Sequence, residues 1–226
     1  MKRSGILLPV FSLPGKYGIG SFGEEAYRFV DFLSDTGQNA WQILPLNPTS
    51  YGDSPYQSPS AFAGNPYFID LDILRNDGLL TSEECESERA NDIDYGKLYE
   101  TRYNVLNKAY VRFSGRIPDS YYRFEEENRA WLEPYCLFME RKAQNGGAAW
   151  AEWNNRAFSQ QGYEQLNFYA FLQFIFYTQW KALKSYANAH GIKIIGDMPF
   201  TSRPIRRTCG RSRKIFSLRK LCCLCE

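Results

Sequence analysis

Three short stretches of the chain carry mostly apolar residues in which hydrophobic and polar positions do not alternate. They are Gly5–Val10, Ala40–Leu44 and Lys193–Ile195. Runs of this length and pattern are typical of parallel strands that are covered on both faces. The pattern therefore predicts three strands of a parallel sheet.

A helix is predicted between the first two strands, over Phe22–Thr36. The apolar residues that recur there at helical spacing are Phe22, Ala26, Phe29, Val30 and Leu33. Ser21, with Glu24 three residues later, predicts a capping box at the start of this helix. Gly37 suits its C-terminal end. The first part of the chain is thus predicted to form a strand–helix–strand unit.

The residues between the second and third strands have a largely helical pattern. The predicted helices are Thr81–Ala90, Tyr95–Phe113, Tyr121–Ala143, Gly147–Ala157 and Leu166–Ala189. This predicts a helical insertion subdomain over residues 75–160, between barrel segments at residues 1–74 and 161–200. The predicted fold class is α/β; if the strands belong to a (β/α)₈ TIM barrel, they are the first strands of an incomplete barrel with a large helical insertion. In such a barrel the chemistry lies at the C-terminal ends of the strands.

The second strand runs into a loop of unusual composition, residues 45–65, here called the aromatic loop. Prolines restrain its backbone angles, and glycines permit tight bends. The side chains set into it are Tyr51, Asp53, Ser54, Tyr56, Gln57, Ser60 and Asn65. Aromatic faces stack on pyranose rings, and fixed polar groups bind sugar hydroxyls. The loop therefore favours sugar binding over a plain proline-rich connector. The first four of these residues, with Asp197 after the third strand, are the candidate substrate-binding residues.

The net charge of +2 hides two unlike parts of the chain. Residues 201–226 hold eight Lys and Arg against Glu226, so residues 1–200 carry 19 basic and 24 acidic residues. This acidic body lacks the basic surface of a nucleic-acid-binding protein. The most apolar window, Phe168–Trp180, is too short to span a bilayer. We predict neither a nucleic-acid partner nor a membrane partner.

The cysteines and the single histidine also restrict the chemistry. Cys85 and Cys136 in the body are typical of a reduced protein, which predicts a cytoplasmic location. The tail cysteines match no ordinary zinc spacing, and His190 at a helix end favours a structural role. The glycines of Gly18–Gly23 formally match a dinucleotide motif, but Phe11–Tyr17 separates them from the strand. No metal and no cofactor are expected.

Carboxylates are the remaining catalytic candidates. A retaining glycosidase uses two carboxyl groups about 5–5.5 Å apart. Asp53 and Asp197 are the best placed in this chain. Asp53 could instead brace its loop, and Asp197 could hold substrate or orient a neighbour. Neither has the features of a nucleophile.

Three segments resemble one family, the 4-alpha-glucanotransferases called amylomaltase or disproportionating enzyme. The segments are SGILLPVFSLPGKYGIGSFG, WQILPLNPTSYGDSPYQSPSAFAGNPYFIDL and GIKIIGDMPF. The similarity runs from about Ser4 to Phe200 and is weakest in the helical insertion. One departure is Ser21, where the family commonly has aspartate.

The resemblance implies a (β/α)₈ barrel with helical insertions and a retaining double displacement on α-1,4-glucans, without a cofactor. One carboxylate attacks the anomeric carbon, a second acts as acid and then base, and an acceptor sugar replaces water. The resemblance also implies that Tyr51, Ser54 and Tyr56 line the donor subsites. In this family the nucleophile, the acid/base and the third carboxylate come from later strands. It therefore implies no catalytic carboxylate in this chain.

The chain departs from the family after Phe200. The family continues approximately Tyr-Val-Ala-x-Asp-Ser-Ala-Asp-Val-Trp, whereas this chain reads TSRPIRRTCG. When the last base of each codon is read with the first two of the next, compatible codons restore the family's run. We therefore predict a one-base frameshift near Phe200 and a disordered, out-of-frame tail over residues 201–226. A genuine basic nucleic-acid-binding arm is the alternative.

The sequence thus predicts the N-terminal part of a 4-alpha-glucanotransferase, inactive alone, whose partners are maltooligosaccharides or other α-1,4-glucans. Two alternatives stay open. One is a non-catalytic α-glucan-binding module that keeps the aromatic loop. The other is an intact glycoside hydrolase of another kind, which would need a complete carboxylate pair in this chain.

Overall fold

The fold is built around a three-stranded parallel sheet. The structure, a computed structural model, describes residues 4–49, 53–86, 92–148, 152–153 and 166–197. Its strands are β1 (Gly5–Leu7), β2 (Ala40–Gln42) and β3 (Lys193–Ile195), in the order β1-β2-β3. Both pairings are parallel, with Ile6 opposite Trp41 and Trp41 opposite Ile194. The predicted parallel sheet is therefore confirmed, with the first two strands shorter than the sequence pattern indicated.

The two faces of this sheet differ in their exposure. Trp41, in the middle row, is fully buried against the helices, and its indole Nε1 donates to the carbonyl of Leu8 at 2.8 Å. The next row places Gln42 between Leu7 and Ile195, which are 54% and 48% exposed. The prediction that both faces are covered is therefore wrong for the described residues, because no described element packs over this second row.

Helix α1 (Glu24–Asp35) joins the first two strands. The capping box predicted at Ser21 is wrong, because α1 begins after Gly23 and has no side-chain cap. The Ser21 hydroxyl instead donates to the Asp70 carboxylate at 2.6 Å. That carboxylate packs so closely against Gly23 that a Cβ there would overlap it. At the other end, Gly37 adopts a positive φ of 69°, as a helix-ending glycine should.

Between the aromatic loop and the final helix, the described residues form four α-helices. They are α2 (Leu71–Asn76), α3 (Ser82–Cys85), α4 (Tyr95–Ser114) and α5 (Asp119–Gln144). Thr81 caps α3 in a capping box with Glu84, but α3 ends at Cys85, well short of the predicted end. The predicted helix Gly147–Ala157 is wrong at its start, where Gly147 has a φ of 79°. Most of its other residues lie outside the described part of the chain.

Helix α6 (Leu166–Ala189) is the central element of the core. It packs against α1, α4, α5 and β3. Its Phe176 and Trp180 rings lie 5.1 Å and 5.4 Å from the ring of Phe22, measured between centroids. Although α6 is strongly apolar, no helix among the described residues has the length and hydropathy required to cross a bilayer.

One continuous apolar core joins the strands to helices α4, α5 and α6. Arg102 of α4 crosses between these parts, donating to the carbonyl oxygens of Ile69 at 3.1 Å and Tyr17 at 2.8 Å. Burial lowers the pKa of Arg102 to about 10, so this buried guanidinium still carries its charge at neutral pH. Helix α4 is thus fixed to the loop that follows β1 and to the segment that follows the aromatic loop.

Candidate functional site

The aromatic loop is closed at its base by two hydrogen bonds. The backbone N–H of Asn65 donates to the carbonyl of Leu46 at 2.8 Å. The buried Asn47 side chain donates through Nδ2 to the carbonyl of Ala63 at 3.1 Å. These bonds bring the two ends of the loop together directly after β2. The loop is therefore presented as one unit at the C-terminal edge of the sheet.

Serines hold the interior of the loop in shape. The Ser60 hydroxyl accepts from the N–H groups of Phe62 and Ala63 at 3.2 and 3.1 Å. The Ser58 hydroxyl donates to the carbonyl of Ser60 at 2.8 Å. Nearer the tip, the Ser54 carbonyl accepts from the N–H of Gln57 at 3.0 Å. Such local bonds satisfy backbone groups that have no strand or helix partner. The described part of the loop after its tip is consequently held by hydrogen bonds of its own.

Tyr56 and Asp197 meet across 141 positions of sequence. The Tyr56 hydroxyl donates to Asp197 Oδ2 at 2.7 Å. This hydrogen bond raises the pKa of Tyr56, with a smaller contribution from burial. Asp197 stands two residues beyond β3, and the aromatic loop follows the adjacent strand β2. Parallel strands deliver their following residues to one edge, and here that edge carries a hydroxyl–carboxylate pair.

Helix α6 supports the loop from behind. The amide of Gln173, which is fully buried, accepts from the N–H of Gly64 at 2.7 Å and donates to its carbonyl at 3.0 Å. The Tyr177 hydroxyl donates to the carbonyl of Phe62 at 2.6 Å. Sequence reasoning missed both residues. The available signal was an amide inside a very apolar helix, since buried polar side chains are almost always hydrogen-bonded.

The other sequence candidates have different surroundings. Ser54 takes part in the turn at the tip, where its hydroxyl accepts from the N–H of Tyr56 at 3.4 Å. Asp53 is exposed and has a positive φ of 53°, an uncommon backbone conformation that aspartate tolerates. Among the described residues no hydrogen bond joins it to Asp197. Tyr51 lies outside the described residues.

Asp53 is close enough to influence tyrosines of the neighbouring helical region. Burial, followed by the negative charge of Asp53, raises the pKa of Tyr67 to about 12. The same two causes, in the same order, raise the pKa of Tyr95 at the start of α4. The electrostatic neighbours of Asp53 thus include Tyr67, which follows the aromatic loop, and Tyr95 of α4. The two carboxylates singled out from the sequence are therefore not joined into a hydrogen-bonded pair.

The Tyr17 side chain, in the loop after β1, makes its hydrogen bond to a residue of α2. The Tyr17 hydroxyl donates to Asp72 Oδ1 at 2.8 Å, and burial together with this bond raises the pKa of Tyr17. Tyr17 also lines a cavity of about 310 Å³ with Cys85 and Arg102. The Tyr17 side chain is thus held by Asp72 on the wall of this cavity.

A larger cavity lies beside the base of the aromatic loop. Its volume is about 410 Å³, and its wall includes Thr49 of the loop and residues of α4, α5 and α6. The aromatic members of that wall are Tyr67, Tyr99, Tyr103, Phe168 and Tyr169. Asn104 and Asn107 add amides. This cavity thus combines flat apolar faces with hydrogen-bonding groups.

The contacts of Gly20, in the glycine-rich segment, and of His190 are explained by packing and helix structure. A Cβ at Gly20 would overlap the carbonyl of Val10, which accounts for glycine there by close packing. The Nδ1 of His190 lies 2.9 Å from the carbonyl of Tyr186, one turn earlier in α6. Within the described residues, no group of three or more His, Cys, Asp or Glu side chains could hold a metal ion.

Comparison with known proteins shows the family to which this sequence is similar. A sequence model of the family described as 4-alpha-glucanotransferase matches residues 8–220, a range that extends into the segment with the predicted frame change. The 4-alpha-glucanotransferase of Clostridium butyricum is 48% identical over 204 residues, which cover 84% of this chain and 42% of that protein. The enzyme of the same name from Streptococcus pneumoniae is 45% identical over 215 residues, covering 88% of this chain and 42% of that protein.

A solved structure shows the same architecture. An amylomaltase from Streptococcus agalactiae, in complex with acarbose, superimposes with a TM-score of 0.82 at 41% identity. The match covers 87% of this chain and 43% of that one. The chain thus spans about 42% of the length of the curated relatives it matches.

Proposed function

The chain belongs to the 4-alpha-glucanotransferase family, and we propose that it is the N-terminal part of an enzyme that transfers α-1,4-glucan segments to an acceptor sugar. The reaction is a retaining double displacement that needs no cofactor. Its partners are maltooligosaccharides or other α-1,4-glucans. In this proposal the aromatic loop and Asp197 form part of the wall that receives the glucan.

The contact between Tyr56 and Asp197 is the observation that carries this proposal. It joins the end of β3 to the aromatic loop at 2.7 Å, and it leaves Asp197 Oδ1 outside that bond. A carboxylate oriented by a phenol can accept hydrogen bonds from sugar hydroxyls, while the aromatic ring offers a flat face to a pyranose. Tyr51, Asp53 and Ser54 complete the proposed substrate-binding residues.

We assign no catalytic carboxylate to this chain. The described part lacks a hydrogen-bonded carboxylate pair at the candidate site, and the family's nucleophile and acid/base come from later strands. We therefore propose that the chain alone is inactive, because it binds the glucan but supplies no reacting group. Its three strands would form the first part of a (β/α)₈ barrel, whose remaining strands would cover the exposed row of Leu7, Gln42 and Ile195.

The proposal extends to the organisation and location of the chain. We divide the chain into barrel segments at residues 1–74 and 161–200, an insertion at residues 75–160 and a tail at residues 201–226. The two described thiols, Cys85 and Cys136, are buried and free, which supports a reducing compartment and hence the cytoplasm.

Binding and activity separate this proposal from its alternatives. Calorimetric titration of the chain with maltoheptaose, with cellohexaose as the β-linked control, measures recognition. Incubation with maltotriose, followed by an assay for released glucose, measures transfer. Binding of maltoheptaose alone, without glucose release, is the predicted result. Glucose release would contradict the proposed inactivity, and failure to bind maltoheptaose would contradict the proposed glucan wall.

The coding DNA tests the proposed change of reading frame. The codons from Phe200 onward are sequenced and translated in all three frames. A frame that resumes with Tyr-Val-Ala and an Asp-Ser-Ala-Asp-Val-Trp-like run supports a truncated glucanotransferase. If no frame contains that run, the basic tail is authentic and the frameshift proposal fails.

A further inference from the structure

Two buried glutamines of α6 hold the segment between the aromatic loop and α2 in the same manner. Gln173 exchanges two hydrogen bonds with the backbone of Gly64, at 2.7 and 3.0 Å. Gln179 exchanges two with the backbone of Asp70, at 2.7 and 3.1 Å. Each side-chain amide imitates the pairing of a neighbouring strand. The two contacts are alike in chemistry and burial, but they lie at opposite ends of residues 64–70.

The two glutamines differ in what they hold. Gly64 is the end of the aromatic loop, next to the closing bonds at Ala63 and Asn65. Asp70 caps α2 and accepts from the Ser21 hydroxyl. In the sequence it is farther from Tyr56 than Gly64 is. A change at Gly64 therefore moves the base of the loop, whereas a change at Asp70 moves the start of α2.

Hydrogen bonds extend from Gln173 along the aromatic loop as far as Ser58, which lies two residues after Tyr56. From Gly64 backward, Tyr177 holds the carbonyl of Phe62, and the Ser60 and Ser58 hydroxyls hold the backbone that follows the tip. From Gln173 forward, α6 leads directly into β3 and then to Asp197. Tyr56 and Asp197 are thus both connected to α6. The loop that carries Tyr56 is hydrogen-bonded to this helix, and Asp197 follows it in the chain.

We propose that Gln173 is a positioning residue, which fixes Gly64 on α6 so that the aromatic loop presents the Tyr56 hydroxyl to Asp197. Its effect on glucan binding rests on the proposed function, because it acts through the glucan-binding wall. Its effect on the Tyr56–Asp197 contact does not. Gln179 serves the stability of the fold and has no such effect.

The matched variants Gln173→Met and Gln179→Met separate positioning from stability. Methionine keeps the length of the side chain and removes both amide hydrogen bonds, so both variants are expected to lower the unfolding midpoint. The Cζ shift of Tyr56, in the full chain labelled with ¹³C-tyrosine and assigned through Tyr56→Phe, reports its hydrogen bond. We expect this shift to change in Gln173→Met and to remain as in the wild type in Gln179→Met.

Maltoheptaose affinity is the second readout. Gln173→Met is expected to weaken it about tenfold, and Gln179→Met less than about twofold. In the double variant with Tyr56→Phe, Gln173→Met should cost no further affinity, since it acts through Tyr56. Equal effects of the two methionine variants on the Tyr56 shift and on affinity would overturn the proposal, as would the absence of any effect.

A conservative variant keeps the test decisive if Gln173→Met does not fold. In Gln173→Glu a protonated carboxyl can still donate to the Gly64 carbonyl and accept from its N–H, whereas the ionised form cannot donate. The Tyr56 shift should therefore return toward its wild-type position as the pH is lowered from 8 to 5. A shift that stays away from its wild-type position at every pH would contradict positioning by the amide. If wild-type chain binds no maltoheptaose while the Tyr56 shift still responds to Gln173→Met, the proposed function fails and the positioning role stands.

Discussion

At the scale of single residues, the candidate site depends on a hydroxyl that lies 2.7 Å from a carboxylate. A hydrogen bond to a charged group contributes about 1.5–3 kcal/mol where it is shielded from water. Tyr56 and Asp197 are both half-buried, so the lower part of that range applies. The contact is therefore strong enough to orient the carboxylate without dominating the stability of the chain.

Replacing Tyr56 with phenylalanine tests this orientation. The variant keeps the aromatic face and removes only the hydroxyl, so maltoheptaose affinity should fall about tenfold. The unfolding midpoint should change little, because the ring keeps its packing. Calorimetric titration and thermal unfolding measure the two effects. Tyr122→Phe, on an exposed face of α5, is the control and should leave affinity unchanged. Equal affinity of Tyr56→Phe and the wild type would exclude a role for the hydroxyl.

We predict that the ion pair between Arg112 and Glu84, away from the site, makes the stability of the chain sensitive to acid. Arg112 donates to both carboxylate oxygens of Glu84 at 2.7 and 3.0 Å, and these bonds lower the pKa of Glu84 from 4.5 to about 2. Because the folded pKa lies below the unfolded one, the stabilisation is complete above pH 4.5 and is lost as the pH falls toward 2.

The variant Glu84→Gln should therefore differ from the wild type most at neutral pH. Urea unfolding from pH 6 down to pH 2 should show a difference in midpoint that shrinks across the range 4.5 to 2. Glu126→Gln, which breaks an exposed pair with Arg129 at 3.5 Å, is the control and should have little effect at any pH. A difference between Glu84→Gln and wild type that persists unchanged at pH 2 would contradict the assigned ion pair.

At the scale of elements, the spacing of hydrophobic residues predicted most of the helices and strands. The bounds of α6 and β3 agree with those predicted, and α4 differs by one residue, because the local pattern there agrees with the packing. The start of α1 was wrong for a tertiary reason. Ser21 had a suitable partner in Glu24, but the Asp70 carboxylate, 49 positions away, takes its hydroxyl instead. No local window contains Asp70.

The candidate site shows the same limit of sequence reasoning. The composition of the aromatic loop indicated sugar chemistry, and the strand pattern placed Asp197 at the correct edge. Gln173 was missed because its partner is a backbone group 109 positions away. Residue identity carries no information about which backbone group an amide will meet. Asp53 was placed with Asp197 only because both were acidic and near strand ends.

A glycine in the loop tests how closely α6 supports it. A Cβ at Gly64 would overlap the fully buried ring of Phe176, so Gly64→Ala should destabilise the chain by about 1–3 kcal/mol. In a Phe176→Ala background Gly64→Ala should cost less than in the wild type, because the overlapping ring atoms are then absent. Gly115→Ala, where the nearest atom lies at 3.5 Å, should change stability by less than about 0.5 kcal/mol. Urea unfolding measures all three, and a neutral Gly64→Ala would show that the loop is not held against α6.

At the scale of the whole molecule, the sheet has one covered and one open face. Its middle row packs on the helices, while Leu7 and Ile195 in the next row are about half exposed. Open apolar faces and unpaired strand edges favour association with other surfaces. We therefore expect the isolated chain to have low solubility. The same face is where the further strands of the proposed barrel would contribute their interior side chains.

Adjacent isoleucines of β3 test the orientation of these faces. Ile194 packs against the core, whereas Ile195 is 48% exposed. Ile194→Thr should cost about 1–3 kcal/mol in unfolding free energy, and Ile195→Thr less than about 0.5 kcal/mol. Sedimentation of Ile195→Thr should also show less association than the wild type. Equal destabilisation by the two changes would mean that both faces of β3 are covered.

The most direct test of the account is the affinity of the wild-type chain for maltoheptaose, compared with that of Tyr56→Phe and Asp197→Asn. We expect saturable binding of maltoheptaose by the wild type, no binding of cellohexaose, and weaker maltoheptaose binding by both variants. Asparagine keeps the shape of Asp197 and removes its charge, so it tests the carboxylate itself. Wild-type binding that neither variant weakens, or no binding at all, would contradict a glucan-binding wall formed by the aromatic loop and Asp197.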